Sequence, residues 1–225
     1  MTKNLFALSV LAVSALVAAP VAAKKKPAEA PVAAVSPLVV PAAVAADPAN
    51  KWTLELSNGG RVVIQLRPDI APNHVYRIQQ LTTQGFYNGL KFHRVIAGFM
   101  AQGGDPRGTG EGGSPLPDLK AEFNNIPHMR GVVSMARAES PDSANSQFFI
   151  MFTPRFSLDH KYTAFGRVIE GMAAVDNIAM GEPPLDPTTI VRASIGGPLP
   201  APPATAVAAP APASAPAPAE TPPAQ

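Results

Sequence analysis

Proline is spread so unevenly along this chain that it decides which part can build a core. The sequence holds 27 prolines, and most lie before Lys51 or after Gly197. Residues 24–50 are an Ala/Pro-rich stretch that opens on Lys24-Lys25-Lys26, and Pro198 to Gln225 is dominated by alanine and proline. Such segments lack the aromatic and large aliphatic side chains that offset the entropy of ordering, so both read as a flexible linker and a disordered or polyproline-like tail. The foldable part is then residues 51–197, one domain of ordinary size.

The beginning of the chain carries a different signal. Lys3 precedes an apolar run from Leu5 to Ala18 interrupted only by Ser9 and Ser14, and Pro20 and Val21-Ala22-Ala23 follow. A charged start, a short apolar body and a small-residue exit describe a secretory signal peptide, residues 1–23. The alternative is an uncleaved anchor, since about 17 apolar residues can just cross a bilayer; the alanine content and the position of Pro20 favour cleavage. A periplasmic or secreted location, with no membrane anchor after cleavage near Ala23, follows as an expectation.

The chain has no cysteine, which excludes thiol catalysis, a cysteine-based zinc site and a lipid anchor on cysteine. The net charge is +2, and charges of both signs alternate within the foldable part, so no nucleic-acid surface is expected. His74, His93, His128 and His160 are dispersed without metal-ligand spacing. Gly108-Thr109-Gly110-Glu111-Gly112-Gly113 has the spacing of a dinucleotide loop, but Ser114-Pro115-Leu116-Pro117 cannot open the helix that would face a pyrophosphate. The glycines read instead as a flexible surface loop. No metal, cofactor or hydrolase nucleophile is implied.

Within the domain, Thr53–Ser57 and Arg61–Leu66 alternate apolar and polar around Asn58-Gly59-Gly60, a hairpin signal. Val75, Ile78 and Leu81 then recur with helical period, opened by Asp69 and Pro72 and closed by Gly85. Further strands are expected at residues 90–96, 99–103, 131–136, 147–152, 164–169 and 189–195, with a second short helix over 172–178. The predicted fold is mainly β, a closed antiparallel eight-stranded barrel capped by two helices.

One long segment, Phe92-His93-Arg94-Val95-Ile96-Ala97-Gly98-Phe99-Met100-Ala101-Gln102-Gly103-Gly104-Asp105, resembles the signature strand pair of the cyclophilins. Ser134-Met135-Ala136-Arg137, Ser146-Gln147-Phe148-Phe149-Ile150, Leu158-Asp159 and Phe165-Gly166-Arg167-Val168 follow in the family's order. Leu116-Pro117-Asp118-Leu119-Lys120-Ala121-Glu122-Phe123 is similar to bacterial members, and the likeness spans Trp52 to Ile195. It implies peptidyl-prolyl cis-trans isomerase activity on proline-containing polypeptides, by a monomer, assisting the folding of exported proteins.

The chemistry is intelligible from the residues. Rotation about an X-Pro amide is slow because conjugation must break, yet no covalent bond forms or breaks. A catalyst needs a pocket for the ring, an anchor for the neighbouring carbonyl and a donor that favours the twisted amide. Arg94 can donate to the lone pair that the proline nitrogen regains on twisting, an acceptor the planar ground state lacks. Gln102 can hold the carbonyl oxygen. Period-two geometry puts Met100 with Gln102, and Gln147 with Phe149, on one face of their strands. Phe99, Met100, Phe149 and Leu158 are then candidates for the ring pocket, while Phe148 reads as core and His93 is ambiguous. Gln147 is a further substrate-binding candidate, and the resemblance adds Ala136, Arg137 and Tyr162 as substrate-binding positions.

Three positions depart from the best-known eukaryotic pattern. Ser157 stands for a tryptophan, with Phe156 beside it as a candidate replacement; Tyr162 stands for a histidine, and Arg137 for an asparagine. Ser157 argues against tight cyclosporin binding. The three together leave a second reading open, a module that binds proline segments with incidental turnover. The Ala-Pro repeats of the tail raise a further idea, docking into the pocket, against the simpler reading as a spacer.

Overall fold

The computed structural model describes residues 38–204. The expected signal peptide, the first part of the linker and the tail beyond Ala204 lie outside the described residues. The strands are β1 (Lys51–Leu56), β2 (Arg61–Leu66), β3 (Arg94–Ile96), β4 (Met100–Gly103), β5 (Val132–Met135), β6 (Phe148–Met151), β7 (Ala164–Glu170) and β8 (Ile190–Ile195). Helices α1 (Ala42–Ala46), α2 (Pro72–Thr83) and α3 (Met172–Asp176) accompany them. One eight-stranded antiparallel sheet runs in the order β3-β4-β6-β5-β7-β2-β1-β8.

The sheet curls until its edges meet. Lys91 and Thr189 bridge them, Phe92 N–H donates to the Thr188 carbonyl at 2.9 Å and Ile190 N–H to the Leu90 carbonyl at 2.8 Å. The expected closure is therefore made by the residues leading into β3 and β8. Inside the curl, Trp52, Leu54, Ile64, Val133, Phe148, Ile150 and Phe165 form one core with Val75, Ile78 and Leu81 of α2. Trp52 lies edge-to-face on Tyr87 at 5.3 Å and on Phe148 at 4.9 Å between ring centroids.

The first hairpin forms where alternation and turn chemistry place it. Leu56 N–H donates to the Gly60 carbonyl at 2.8 Å, and Asn58 closes the turn by accepting from Gly60 N–H at 3.0 Å. The strand pattern differs from simple alternation in β2, which is buried at every position after Arg61. At Gln65 the cause is upstream: its amide donates to the carbonyls of Val44 and Asn50, both at 3.3 Å, so the chain around α1 covers this end of the strand. Ala49 and Asn50 are buried, and the Ala49 carbonyl accepts from Gln79 of α2 at 2.9 Å. Two corrections follow. A third helix exists among the described residues, and the ordered fold begins within the stretch read as linker.

Helix α2 also starts differently. Asp69, the expected opener, is engaged by Arg67 Nε at 2.9 Å. The free N–H groups of the first turn are met by Glu122, far along the chain: its carboxylate accepts from Asn73 N–H at 3.2 Å, His74 N–H at 3.1 Å and His74 Nδ1 at 2.7 Å. Burial would raise the Glu122 carboxyl, but these donors together hold it below its ordinary value.

Candidate active site

The site grows from strand register. Arg94 of β3 lies directly opposite Gln102 of β4, and Gln102 opposite Phe149 of β6. Directly paired residues share a face, so these side chains form a row across three strands on the outer side of the curl. On the same face Met100 and Phe149 pack with Ile126, Val132, Met151 and Ala164 into a second, smaller apolar cluster. Phe148 points the other way and is fully buried in the main core, as its alternate position requires.

A pocket of about 300 Å³ opens over this row, lined by Arg94, Phe99, Met100, Gln102, Ala136, Arg137, Phe149, Leu158 and Tyr162. Every residue proposed from the sequence is in that lining except Gln147. Met100 and Phe149 are 2% and 5% exposed and make a rigid apolar floor. Tyr162 stands edge-on to Phe149 with centroids 5.5 Å apart, and the Arg155 guanidinium covers Phe99 at 4.8 Å. His93 is buried and takes no part in the lining; burial pushes its imidazole below the ordinary range. Phe156 does not replace the missing tryptophan, because it is 60% exposed and outside the lining.

Gln147 acts one step back. Its carbonyl accepts from Gln102 Nε2 at 2.9 Å, while its own amide donates to the Gly110 and Gly112 carbonyls at 2.9 and 2.8 Å. An amide nitrogen carries two hydrogens, so Gln102 is oriented through one and keeps the other for a substrate carbonyl. Behind the floor, the His128 ring stacks on Phe149 at 6.2 Å. His128 Nδ1 meets Asp159 at 2.8 Å, and Nε2 meets the Ser134 hydroxyl at 3.0 Å. The three groups have the order of a hydrolase relay, but Ser134 is 0% exposed and no carbonyl can reach it. Burial depresses the His128 imidazole although Asp159 acts to raise it. The chain's role is to fix the ring beneath Phe149.

Sequence reasoning missed how the glycine loop and Arg137 contribute. The loop is held by one carboxylate: Asp105 accepts from the N–H groups of Arg107 at 2.8 Å, Thr109 at 2.9 Å, Gly110 at 2.7 Å and Gly112 at 3.1 Å. A Cβ at Gly112 would lie 1.8 Å from the Asp105 carboxylate, which is why glycine is required there. The expected flexible loop is thus pinned, by Asp105 at its amides and by Gln147 at its carbonyls. With Gln102, Asp118, Ala136, Arg137 and Asn145 it walls a second depression of about 390 Å³ beside the first. Arg137 clasps two segments: Nη1 donates to the Ala138 and Glu139 carbonyls at 2.9 and 2.8 Å, Nε donates to the Lys161 carbonyl at 3.1 Å, and the guanidinium lies 4.8 Å from the Tyr162 ring. The one available signal was Asp105 standing two residues past the end of β4, just before the glycines.

Burial pushes the Asp105 carboxyl up, but its four backbone donors outweigh this and hold it at about 2, from an ordinary 3.8. A depressed carboxyl stabilises the fold above its unfolded value and loses that contribution as protons bind. Stability should therefore fall as pH drops from 3.8 toward about 2. In Asp105→Asn this part of the acid slope should flatten, at the cost of a less stable protein at neutral pH; urea titrations at stepped pH would check both.

The fold and site define a small β-barrel protein that offers a ring-sized pocket with an apolar floor beside Arg94 and the oriented amide of Gln102. The family profile described as cyclophilin type peptidyl-prolyl cis-trans isomerase/CLD matches residues 52–195. A Brucella suis protein named as a probable peptidyl-prolyl cis-trans isomerase is 47% identical over 172 residues, covering 69% of this chain and 87% of its own. Among solved structures, the cyclophilin AquaCyp293 from Hirschia baltica superposes with a TM-score of 0.61 at 34% identity, covering 66% of this chain and 74% of its own. A cyclophilin type isomerase from Cryptosporidium parvum, solved in the presence of the dipeptide Ala-Pro, has a TM-score of 0.59 at 28% identity and covers 66% and 99%. The chain belongs to the cyclophilin-type peptidyl-prolyl cis-trans isomerases, enzymes that accelerate rotation about X-Pro peptide bonds.

Proposed function

We propose that this isomerase acts outside the cytoplasm, as a monomer, on proline-containing segments of exported polypeptides, and that Arg94 and Gln102 carry the rotation. The observation that bears most weight is the direct pairing of Arg94 with Gln102 above the Met100–Phe149 floor. The proline ring sits on Met100 and Phe149, bounded by Phe99, Leu158 and Tyr162. The free amide hydrogen of Gln102 holds the carbonyl that precedes the proline. The Arg94 guanidinium meets the proline nitrogen only when the amide is twisted, so its hydrogen bond lowers the barrier without tightening the ground state. Ala136 and Arg137 offer backbone to the flanking peptide, while the Arg137 side chain stays in its clasp. The Ala-Pro dipeptide used with the Cryptosporidium relative supports a proline-peptide substrate.

The extracytoplasmic location is supported by Lys3, the apolar run to Ala18 and the small residues ending at Ala23. Fractionation of cells producing a C-terminally tagged chain tests it. The expected product is a periplasmic or secreted protein whose N-terminus is Lys24. A chain still starting at Met1 in the membrane fraction would establish the anchor instead, and one starting at Met1 in the cytoplasm would overturn export.

A further inference from the structure

Glu182 reaches the site from a segment to which the sequence assigns no role. Its Oε2 accepts from Arg94 Nε at 2.7 Å. The side chains are 42% and 51% exposed, and a pair so open to water adds little to folding. Its backbone setting is nevertheless constrained. Val95, next to Arg94, exchanges two hydrogen bonds with Gly181, next to Glu182: Val95 N–H to the Gly181 carbonyl at 2.8 Å and the return bond at 2.9 Å. Gly181 has φ of +146°, and a Cβ there would lie 2.5 Å from the Pro184 Cα. The residues flanking the ion pair are thus locked together on the edge of β3, and the two long side chains leave neighbouring points of one paired backbone.

An arginine carries five N–H donors in a planar fork. Glu182 takes the one on Nε, while Gln102, directly opposite, gives its amide to Gln147. Among the described residues the two terminal nitrogens of Arg94 have no hydrogen-bond partner. We infer that Glu182 is a positioning residue for the reaction: its carboxylate holds Arg94 by Nε, fixes the guanidinium plane and leaves the terminal nitrogens for the twisted amide. This rests on Arg94 being the donor to that amide. Glu182 itself touches no substrate and acts through Arg94. A guanidinium released from it samples many rotamers, and the transition state must then bear the cost of ordering it. The planar substrate makes no use of the same bond, so the loss belongs to kcat.

The test is a protease-free isomerisation assay on an Ala-Pro peptide with Glu182→Ala, Glu182→Gln, Arg94→Ala and the Arg94→Ala/Glu182→Ala pair. Glu182→Ala should lower kcat about tenfold with KM changed less than about twofold. Glu182→Gln keeps an oxygen for Nε–H and should recover most of the loss. The double variant should be no slower than Arg94→Ala. Tm should stay within about 2 °C of wild type, while the Arg94 Nε–H resonance, distinct and slowly exchanging in the wild type, should disappear in Glu182→Ala. Undiminished kcat in Glu182→Ala beside a crippled Arg94→Ala overturns the positioning role alone. So does an added loss in the double variant, which would mean that Glu182 acts independently. A fully active Arg94→Ala refutes the reading of Arg94, and the inference falls with it.

Discussion

Replacing Arg94 by alanine is expected to lower kcat/KM on an Ala-Pro peptide by about 100- to 1,000-fold, the loss that follows removal of one donor aimed at a transition state, or about 2.7–4 kcal/mol. The planar X-Pro amide offers its nitrogen no lone pair, so Arg94 contributes little to ground-state binding and the defect should sit in kcat. Folding should be almost untouched, because the side chain is 42% exposed and, among the described residues, pairs with a single half-exposed carboxylate. Arg94→Lys should recover little, since an ammonium has neither the planar fork nor the Nε donor by which Glu182 orients the guanidinium. Wild-type rates in Arg94→Ala, measured by exchange spectroscopy without a coupling protease, would remove the arginine from the mechanism. The catalytic burden would then fall on Gln102 and the pocket.

The residues that make the pocket were legible because strands expose alternate residues. Once Phe92–Asp105 and Gln147–Phe152 are read as extended, Met100 falls with Gln102, Gln147 with Phe149, and Phe148 to the far side; Gln147 meets the site through Gln102 and does not line the pocket. What alternation cannot supply is register. Arg94 opposite Gln102 and Gln102 opposite Phe149 depend on a hairpin turn at Ala97–Phe99 and on a pairing between strands separated by more than forty residues of chain. The supports were less legible still. Glu122 at the start of α2 and Glu182 on Arg94 are single side chains arriving from distant sequence, and nothing periodic marks them; alternation marks Gln147, but not its hold on the glycine loop. The same holds for α1. Alanine and proline suggest an unfolded linker on composition, yet Gln65 and Gln79 draw the backbone of residues 44–50 onto the barrel by donating to its carbonyls, which composition does not register. Arg137 shows the limit from the other side. Its place at the pocket was implied by resemblance, but its clasp on residues 138, 139 and 161 was not, because that work is done against backbone carbonyls that any sequence would provide.

Two adjacent phenylalanines separate stability from catalysis, and Phe148→Ala is expected to show it by destabilising the protein by about 3–5 kcal/mol. Phe148 is 0% exposed and lies against Trp52, Tyr87 and Phe92 with centroids 4.9, 5.9 and 6.0 Å apart, all edge-to-face. Truncation removes a buried ring and three aromatic contacts from a close-packed interior that relaxes only partly into the space. The single tryptophan of the chain reports the event directly, because Trp52 is itself 0% exposed and in contact with the deleted ring. Urea titration followed by its fluorescence should show a lower midpoint with an unchanged slope, and thermal unfolding should move down by about 10 °C. Turnover per folded molecule should stay near the wild-type value, since Phe148 faces away from the pocket that Phe149 floors. Phe149→Ala should do the reverse in emphasis, with weaker peptide binding at temperatures where the variant remains folded. A Phe148→Ala protein of wild-type stability would mean that the aromatic cluster is not the core of the fold. One that is stable but inactive would mean that the two faces of β6 are not independent.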